Sequence, residues 1–376
     1  MRNKKNVYKR KIHFRAIFNN IGSILFTLVL ASFFCFLGYS VARPFALIGE
    51  VTISDESSYV TLKDSVEPLE VNKSTSINAF WIDEKEYKDL EELENEIKSV
   101  PQGYNTVVVP MKLKGGKLNF SSVNEDAEMA EAVSDISLSD ILSFIESKNL
   151  IPAAAVNVME DNLYPKINNQ AGFISQKTHK LWLDANEKKG GKPWLNPASS
   201  AAKEYNSSII GELSQAGFKY IIGTDAVYPE FSQDALDEIG DEVKDENRYL
   251  DLVDVVNAMA DTAERKKSEM WIEISAYDFL TGNCEVYESM LLNTSNTVIK
   301  IDLSEFNSKI NIGGETFDFS KMNVSEKIRK VCEITETYIY KTSFVPEVTD
   351  KNLSAAQKKA AEETLKDMGY KSYIVK

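Results

Sequence analysis

Residues 245–274 read DENRYLDLVDVVNAMADTAERKKSEMWIEI, an apolar-periodic stretch that runs through a basic turn into a short run of Trp and Ile. Within it Leu250, Val253, Val256 and Met259 recur at three-residue spacing, which predicts one buried face of an outer helix over 245–266. Trp271 to Ile274 then reads as a buried strand. A helix feeding a strand is one turn of an alternating α/β chain, and the same unit repeats on both sides of it.

Strand-like runs precede it at Ala79–Ile82, Thr106–Val109, Ile151–Val156 and Tyr220–Ile222. Three more follow it, at Val298–Ile301, Tyr338–Phe344 and Tyr373–Val375. Helix-like stretches fall at 87–100, 138–148, 198–216, 324–335 and 355–368, and the connection assigned to the sixth strand shows none. Strands separated by helices must be parallel, and eight such units close into a (β/α)8 barrel of the TIM type. The alternative is an open doubly wound sheet, against which stands the absence of a Gly-rich phosphate loop after the first strand. The Gly313-Gly314 pair, within Ile310–Phe319, predicts an inserted hairpin.

Upstream the chain changes character. The first 16 residues hold seven Lys and Arg and no acid, and Ile21 to Ala42 is a run of 22 uncharged, mostly apolar residues. At about 1.5 Å per residue such a helix spans the roughly 30 Å hydrocarbon core of a bilayer. Basic residues stay on the cytoplasmic side, so the expected topology is single-pass with the N-terminus inside and everything after Arg43 outside. Ser40-Val41-Ala42 leaves a cleaved signal peptide as the competing reading. The expected division is a basic tail over 1–16, a signal-anchor helix over 17–43, a stalk over 44–76 with a strand at Ser58–Leu62, and a barrel over 77–376.

The formal charge of −14, from 43 basic and 57 acidic residues, argues against nucleic acid and anionic polymers as partners, and leaves neutral glycans or small ligands. With only His13 and His179 in the chain a multi-histidine zinc centre is excluded, and no carboxylate cluster has calcium-loop spacing. No metal and no cofactor is expected. Cys284 and Cys332 allow at most one disulfide outside the anchor.

The segment 181–230 reads LWLDANEKKGGKPWLNPASSAAKEYNSSIIGELSQAGFKYIIGTDAVYPE. It resembles a family of (β/α)8-barrel proteins exported by bacteria and classed with the glycoside hydrolases. That family carries Trp-x-Asp, Trp-x-Asp-Pro, a Tyr-Asn helix and a strand ending Phe-Asp-Tyr-Val-Arg-Phe-Pro. Here the matching positions are Trp182 and Asp184, Trp194 and Pro197, Tyr205 and Asn206, the exit Ala216-Gly217-Phe218, and then Asp225, Val227 and Pro229. Ile274 to Phe279 is a weaker match to the family's Val-Ser-Ala-Asp-Val-Phe. Asn196 stands where the family has Asp, Tyr228 replaces Phe, no Arg follows Val227, and Tyr277 holds the second strand's Asp position. The family's stretch after the sixth strand is replaced by KIDLSEF over Lys300–Phe306.

The resemblance implies an enzyme or binder of polysaccharide or oligosaccharide, with chemistry at the carboxyl ends of the strands. Acidic residues at such ends are Asp83, Asp225, Glu273, Asp278, Asp302, Glu305 and Glu347. Asp225 is the leading catalytic candidate, with a turn or helix cap as its structural alternative. Asp278 is its acid/base partner if the strand register is slipped by one, and is otherwise turned out of the mouth. Glu273, between Ile272 and Ile274, points into the barrel or is a buried paired carboxylate. Trp182, Asp184, Trp194, Asn196, Tyr228, Tyr277 and Asp302 are the candidate substrate-binding residues; the two Trp rings would stack on sugars or pack beneath their loop. A catalytically inactive barrel that holds a glycan or a protein partner at the cell surface is the rival reading. The topology is checked by adding protease outside intact cells. The barrel should be removed and a small anchored stub left, and full protection of the barrel would overturn the N-in assignment.

Overall fold

The computed structural model describes residues 76–376 apart from 246, 285–290, 340–343 and 352. The basic tail, the signal-anchor run and the stalk lie outside the described residues. Among the described residues no helix is long and apolar enough to cross a membrane.

Eight parallel strands close a barrel: β1 (Asn78–Trp81), β2 (Thr106–Lys112), β3 (Ile151–Asn157), β4 (Tyr220–Thr224), β5 (Glu269–Ser275), β6 (Asn296–Asp302), β9 (Phe344–Thr349) and β10 (Tyr373–Val375). The ends meet through parallel pairing of β1 with β10, in the register Asn78↔Tyr373, Ala79↔Ile374 and Phe80↔Val375, and so the open-sheet alternative does not hold. Strands β7 (Lys309–Ile312) and β8 (Glu315–Asp318) form the expected antiparallel hairpin on the Gly313-Gly314 turn, where both glycines have positive φ.

The outer helices that matter below are α1 (Leu90–Lys98), α2 (Leu138–Ser147), α3 (Ser200–Ala216), α4 (Tyr249–Arg265), α5 (Ala276–Thr281), α6 (Val324–Thr335) and α7 (Ala355–Asp367). Three expectations need correction. Among the described residues the connection with only a short helix is the one after β5, where α5 has 6 residues, and α6 follows β6. The seventh barrel strand begins at Phe344, where the expected one ended, because α6 and the turn after it carry the chain through Tyr338. In α4 the buried face is Leu252, Val253, Val255, Val256, Met259, Ala260 and Ala263, while Leu250 is exposed, since strict three-residue spacing drifts off the 3.6-residue turn.

Alternation along each strand sorts residues into two cores. Outward residues join the helices in one large cluster. Inward residues, among them Ala79, Trp81, Val108, Ala153, Ala155, Tyr220, Ile222, Trp271, Val298, Val345 and Ile374, fill the barrel itself. One layer higher, at the carboxyl end, the same alternation brings in polar groups: Asn157, Glu273, Lys300 and Glu347.

A register irregularity between Pro110 and Lys112 turns Lys112 out of the barrel against α3. There its ammonium lies 3.1 Å from Asp161, with both side chains fully buried, and donates to Asn206 Oδ1 at 2.9 Å. Asn206 Nδ2 donates in turn to the Val158 carbonyl, and the Tyr205 ring stacks on Tyr164 at 4.0 Å. The Tyr-Asn pair of the sequence motif thus fastens α3 to the top of β2 and β3. Breaking a buried ion pair leaves one charge uncompensated, so Lys112→Ala should cost about 3–5 kcal/mol of unfolding free energy in denaturant titration. A loss under ~1 kcal/mol would show that the pair is not the fastening.

Candidate functional site

Asp225 is the first residue past β4, and its backbone adopts the left-handed region at φ 49°, which Asp tolerates better than most side chains. The turn aims its carboxylate back over the barrel mouth, where Asn157 Nδ2 donates to Asp225 Oδ2 at 2.7 Å. Asn157, at the end of β3 and buried, has its amide fixed by a second bond, from the Glu160 backbone N–H to Oδ1. No helix begins at Asp225, since the next one starts at Gln233 and is capped by Ser232.

Glu273 reaches the same mouth from β5. Both anticipated descriptions of it apply, because it faces inward and it is paired: Lys300 Nζ, on the neighbouring strand β6, donates to Glu273 Oε1 at 3.0 Å. Lys300 sits opposite Glu347 of β9 in the strand register. Lys114 pairs with Glu160 at 2.8 Å on the rim. Lys376 bonds Glu84 at 3.0 Å and lies over the Trp81 ring at 4.3 Å.

These groups border a cleft of 890 Å³ that Asp225, Glu273, Lys300, Asp278, Asp184, Trp194 and Tyr228 line together. Its lining holds Glu160, Asp184, Asp225, Glu230, Glu273 and Asp278 against Lys114 and Lys300, so the cleft is negative. Desolvation raises the Asp225 carboxyl above the usual carboxylate range, the charge of Glu273 raises it further, and Lys300 and Lys114 oppose the shift. The Lys300 ammonium is raised, first by Glu273, and is firmly cationic.

The sequence-selected residues divide. Asp184 accepts from Lys192 N at 2.7 Å and from Trp194 Nε1 at 3.2 Å, which holds the indole at the cleft wall. Tyr228 donates to the Arg248 carbonyl at 2.9 Å. Asp278 lies in the first turn of α5, where its backbone N–H donates to Ser275, and its side chain reaches the cleft from the helix and not from the strand. Trp182 is buried, edge-on to Phe173, beneath the loop and away from the cleft lining. Asn196 is buried and donates to Glu242. Tyr277 packs on Phe306, and Asp302 accepts from Ser304 N and Oγ. Asn196, Tyr277 and Asp302 are likewise not among the cleft-lining residues.

Asn157, Lys300, Lys114 and Glu160 were not singled out as site residues. Lys300 and Asn157 have a legible signal, since alternation puts them on the inward faces of Val298 and Ala155; Lys114 and Glu160 depend on loop geometry.

Comparison with solved structures finds this fold in other proteins. The glycoside hydrolase domain of PgaB (BpsB) from Bordetella bronchiseptica superposes with a TM-score of 0.52 at 12% identity, over 80% of this chain and 93% of that one. Ega3 of Aspergillus fumigatus, solved in complex with galactosamine, gives a TM-score of 0.40 at 10% identity over 87% and 96% of the two chains. At 12% identity the likeness to the PgaB domain speaks for the fold alone. No curated protein matches the chain. The model of the family described as "Putative glycosyl hydrolase domain" matches residues 79–290, which run from β1 past the cleft-lining Asp225, Glu273 and Asp278. That match covers more than half of the chain, and the protein belongs to this glycosyl hydrolase-like family.

Proposed function

We propose that the protein is tethered to the cell membrane by its N-terminal helix and that its extracytoplasmic barrel binds polysaccharide or oligosaccharide in the cleft and cleaves its glycosidic bonds. The observation that carries the reading is the convergence of Asp225 and Glu273 on one cleft in unlike environments. Glycoside hydrolysis needs one carboxyl group that keeps its proton and another that stays anionic. Asp225, desolvated and raised, fits the acid. Glu273, held by Lys300, fits the anion that stabilises or attacks the sugar's anomeric carbon. Trp194, fixed by Asp184, offers a ring face to a pyranose.

The negative cleft disfavours uronic or sulfated polymers, and neutral or amine-bearing sugars suit it. A second reading, a glycan-binding barrel without hydrolysis, draws on the same Lys300–Glu273 ion pair, which offsets the charge a nucleophile would use.

Turnover of envelope and environmental glycans by the full-length protein in detergent separates the two. Asp225→Asn should lower hydrolysis by about 10²–10⁴-fold, the span expected for losing general acid catalysis. Folding should be unharmed, because a desolvated Asp in a left-handed conformation adds little stability. Unchanged turnover would refute the catalytic assignment, and glycan binding without turnover in the wild type would establish the second reading. The electrostatic coupling has its own check. In a carbon-13 NMR titration, Glu273→Gln should lower the Asp225 pKa, since the charge of Glu273 helps to raise it. An upward move would contradict the arrangement.

A further inference from the structure

Beneath the cleft floor lies a carboxyl group that the reading above does not use. Glu347 is central in β9, faces into the barrel, and is fully buried. It stands opposite Lys300 in the strand register, within reach of the charge of Glu273. Among the described residues neither Glu347 oxygen meets a donor, and Glu273 Oε2 meets none either, Oε1 being taken by Lys300. Two ionised carboxylates have only acceptors to offer each other, so with no donor for these three oxygens a proton shared between the two carboxyls is what would satisfy them.

We infer that Glu347 is a positioning residue, a buried neutral acid that donates its proton to Glu273 and so holds the cleft's anion in place between two donors, Lys300 and itself. The charged groups that face Glu347 pull both ways. Glu273 of β5 is anionic and favours the proton on Glu347, while Lys300 of β6 and Lys376 beyond β10 oppose it. Both lysines have carboxylate partners of their own, Glu273 and Glu84. Burial is the largest influence and pushes Glu347 well above the usual carboxylate range. The proton therefore rests on Glu347, the more deeply buried member, and the charge on Glu273, the member that lines the cleft.

The assignment of Glu273 as the working anion rests on the proposed function, but the proton on Glu347 is read without any sugar, so the two fail separately. Infrared spectra of the full-length chain with carbon-13 glutamate leave Asp225 and Asp251 silent. Glu305, which desolvation also raises, is removed as Glu305→Gln. In that background a protonated-carboxyl carbonyl band should be present at pH 7 and should vanish in Glu347→Gln. Absence of the band at pH 7 would overturn the inference, and it is decisive even if the Gln variant does not fold.

Stability supplies the second readout. A folded pKa above the unfolded one makes stability fall as pH rises between the two values. From about pH 5 upward the wild-type folding constant should therefore drop about tenfold per pH unit relative to Glu347→Gln, until Glu347 ionises. Parallel profiles for the two chains would also overturn it. Glu347→Gln keeps a donor for Glu273 and should retain glycan affinity within about threefold, whereas Glu347→Leu, which removes the donor, should lower it at least tenfold. Equal affinities for the two variants would show that Glu347 does not position Glu273.

Discussion

A closed sheet has no edge and only one interior, so every inward side chain must find its partner among the inward side chains of the other strands. This constraint governs the protein. Low in the barrel it is met by Ala, Val, Ile, Tyr and Trp, which exclude water. At the carboxyl end the same alternation continues, but the residues are Asn157, Glu273, Lys300 and Glu347, and charge has to be matched where water is scarce. Lys300 is set between two strands that each contribute a glutamate, and β1–β10 closure keeps all three from relaxing apart.

Two lysines, one sealed and one half-buried, show how differently the fold uses one side chain. Lys112, turned outward by the irregularity in β2, ends in a sealed contact with Asp161 and Asn206; burial lowers its pKa while Asp161 resists the change. Lys300 faces the cleft, and the acidic groups around it raise its pKa. The first ties α3 to the barrel. The second sets the electrostatics of the mouth, lowering Asp225 while desolvation and Glu273 raise it. The motif residues Tyr205 and Asn206 belong with the first, so part of what reads as a site in the sequence is fastening.

The long connection between β3 and α3 follows the same division. Trp182 goes under the loop with Phe173 and Phe231, while Trp194 stays at the wall of the cleft, held by Asp184. Asn196 donates to Glu242 of the connection that follows β4 and so ties the two loops together. An aromatic pair of equal appearance in the sequence thus supplies one packing residue and one residue at the wall.

What the sequence determined by itself was periodic. Seven of the eight barrel strands, the long helices and the Gly-Gly hairpin follow from hydrophobic spacing, and period-two alternation offered an inward-facing Glu273. The strand-end motif marked Asp225 through the family resemblance. Tertiary structure decided what spacing cannot encode. Whether Asp278 reaches the cleft depended on α5 starting at Ala276, whether Trp182 or Trp194 meets solvent depended on a loop with no period, and the bond from Asn157 to Asp225 joins residues 68 positions apart. The pairing of Glu273 with Lys300, and the placing of Glu347 opposite Lys300, likewise needed the register of three strands, which only closure of the sheet fixes.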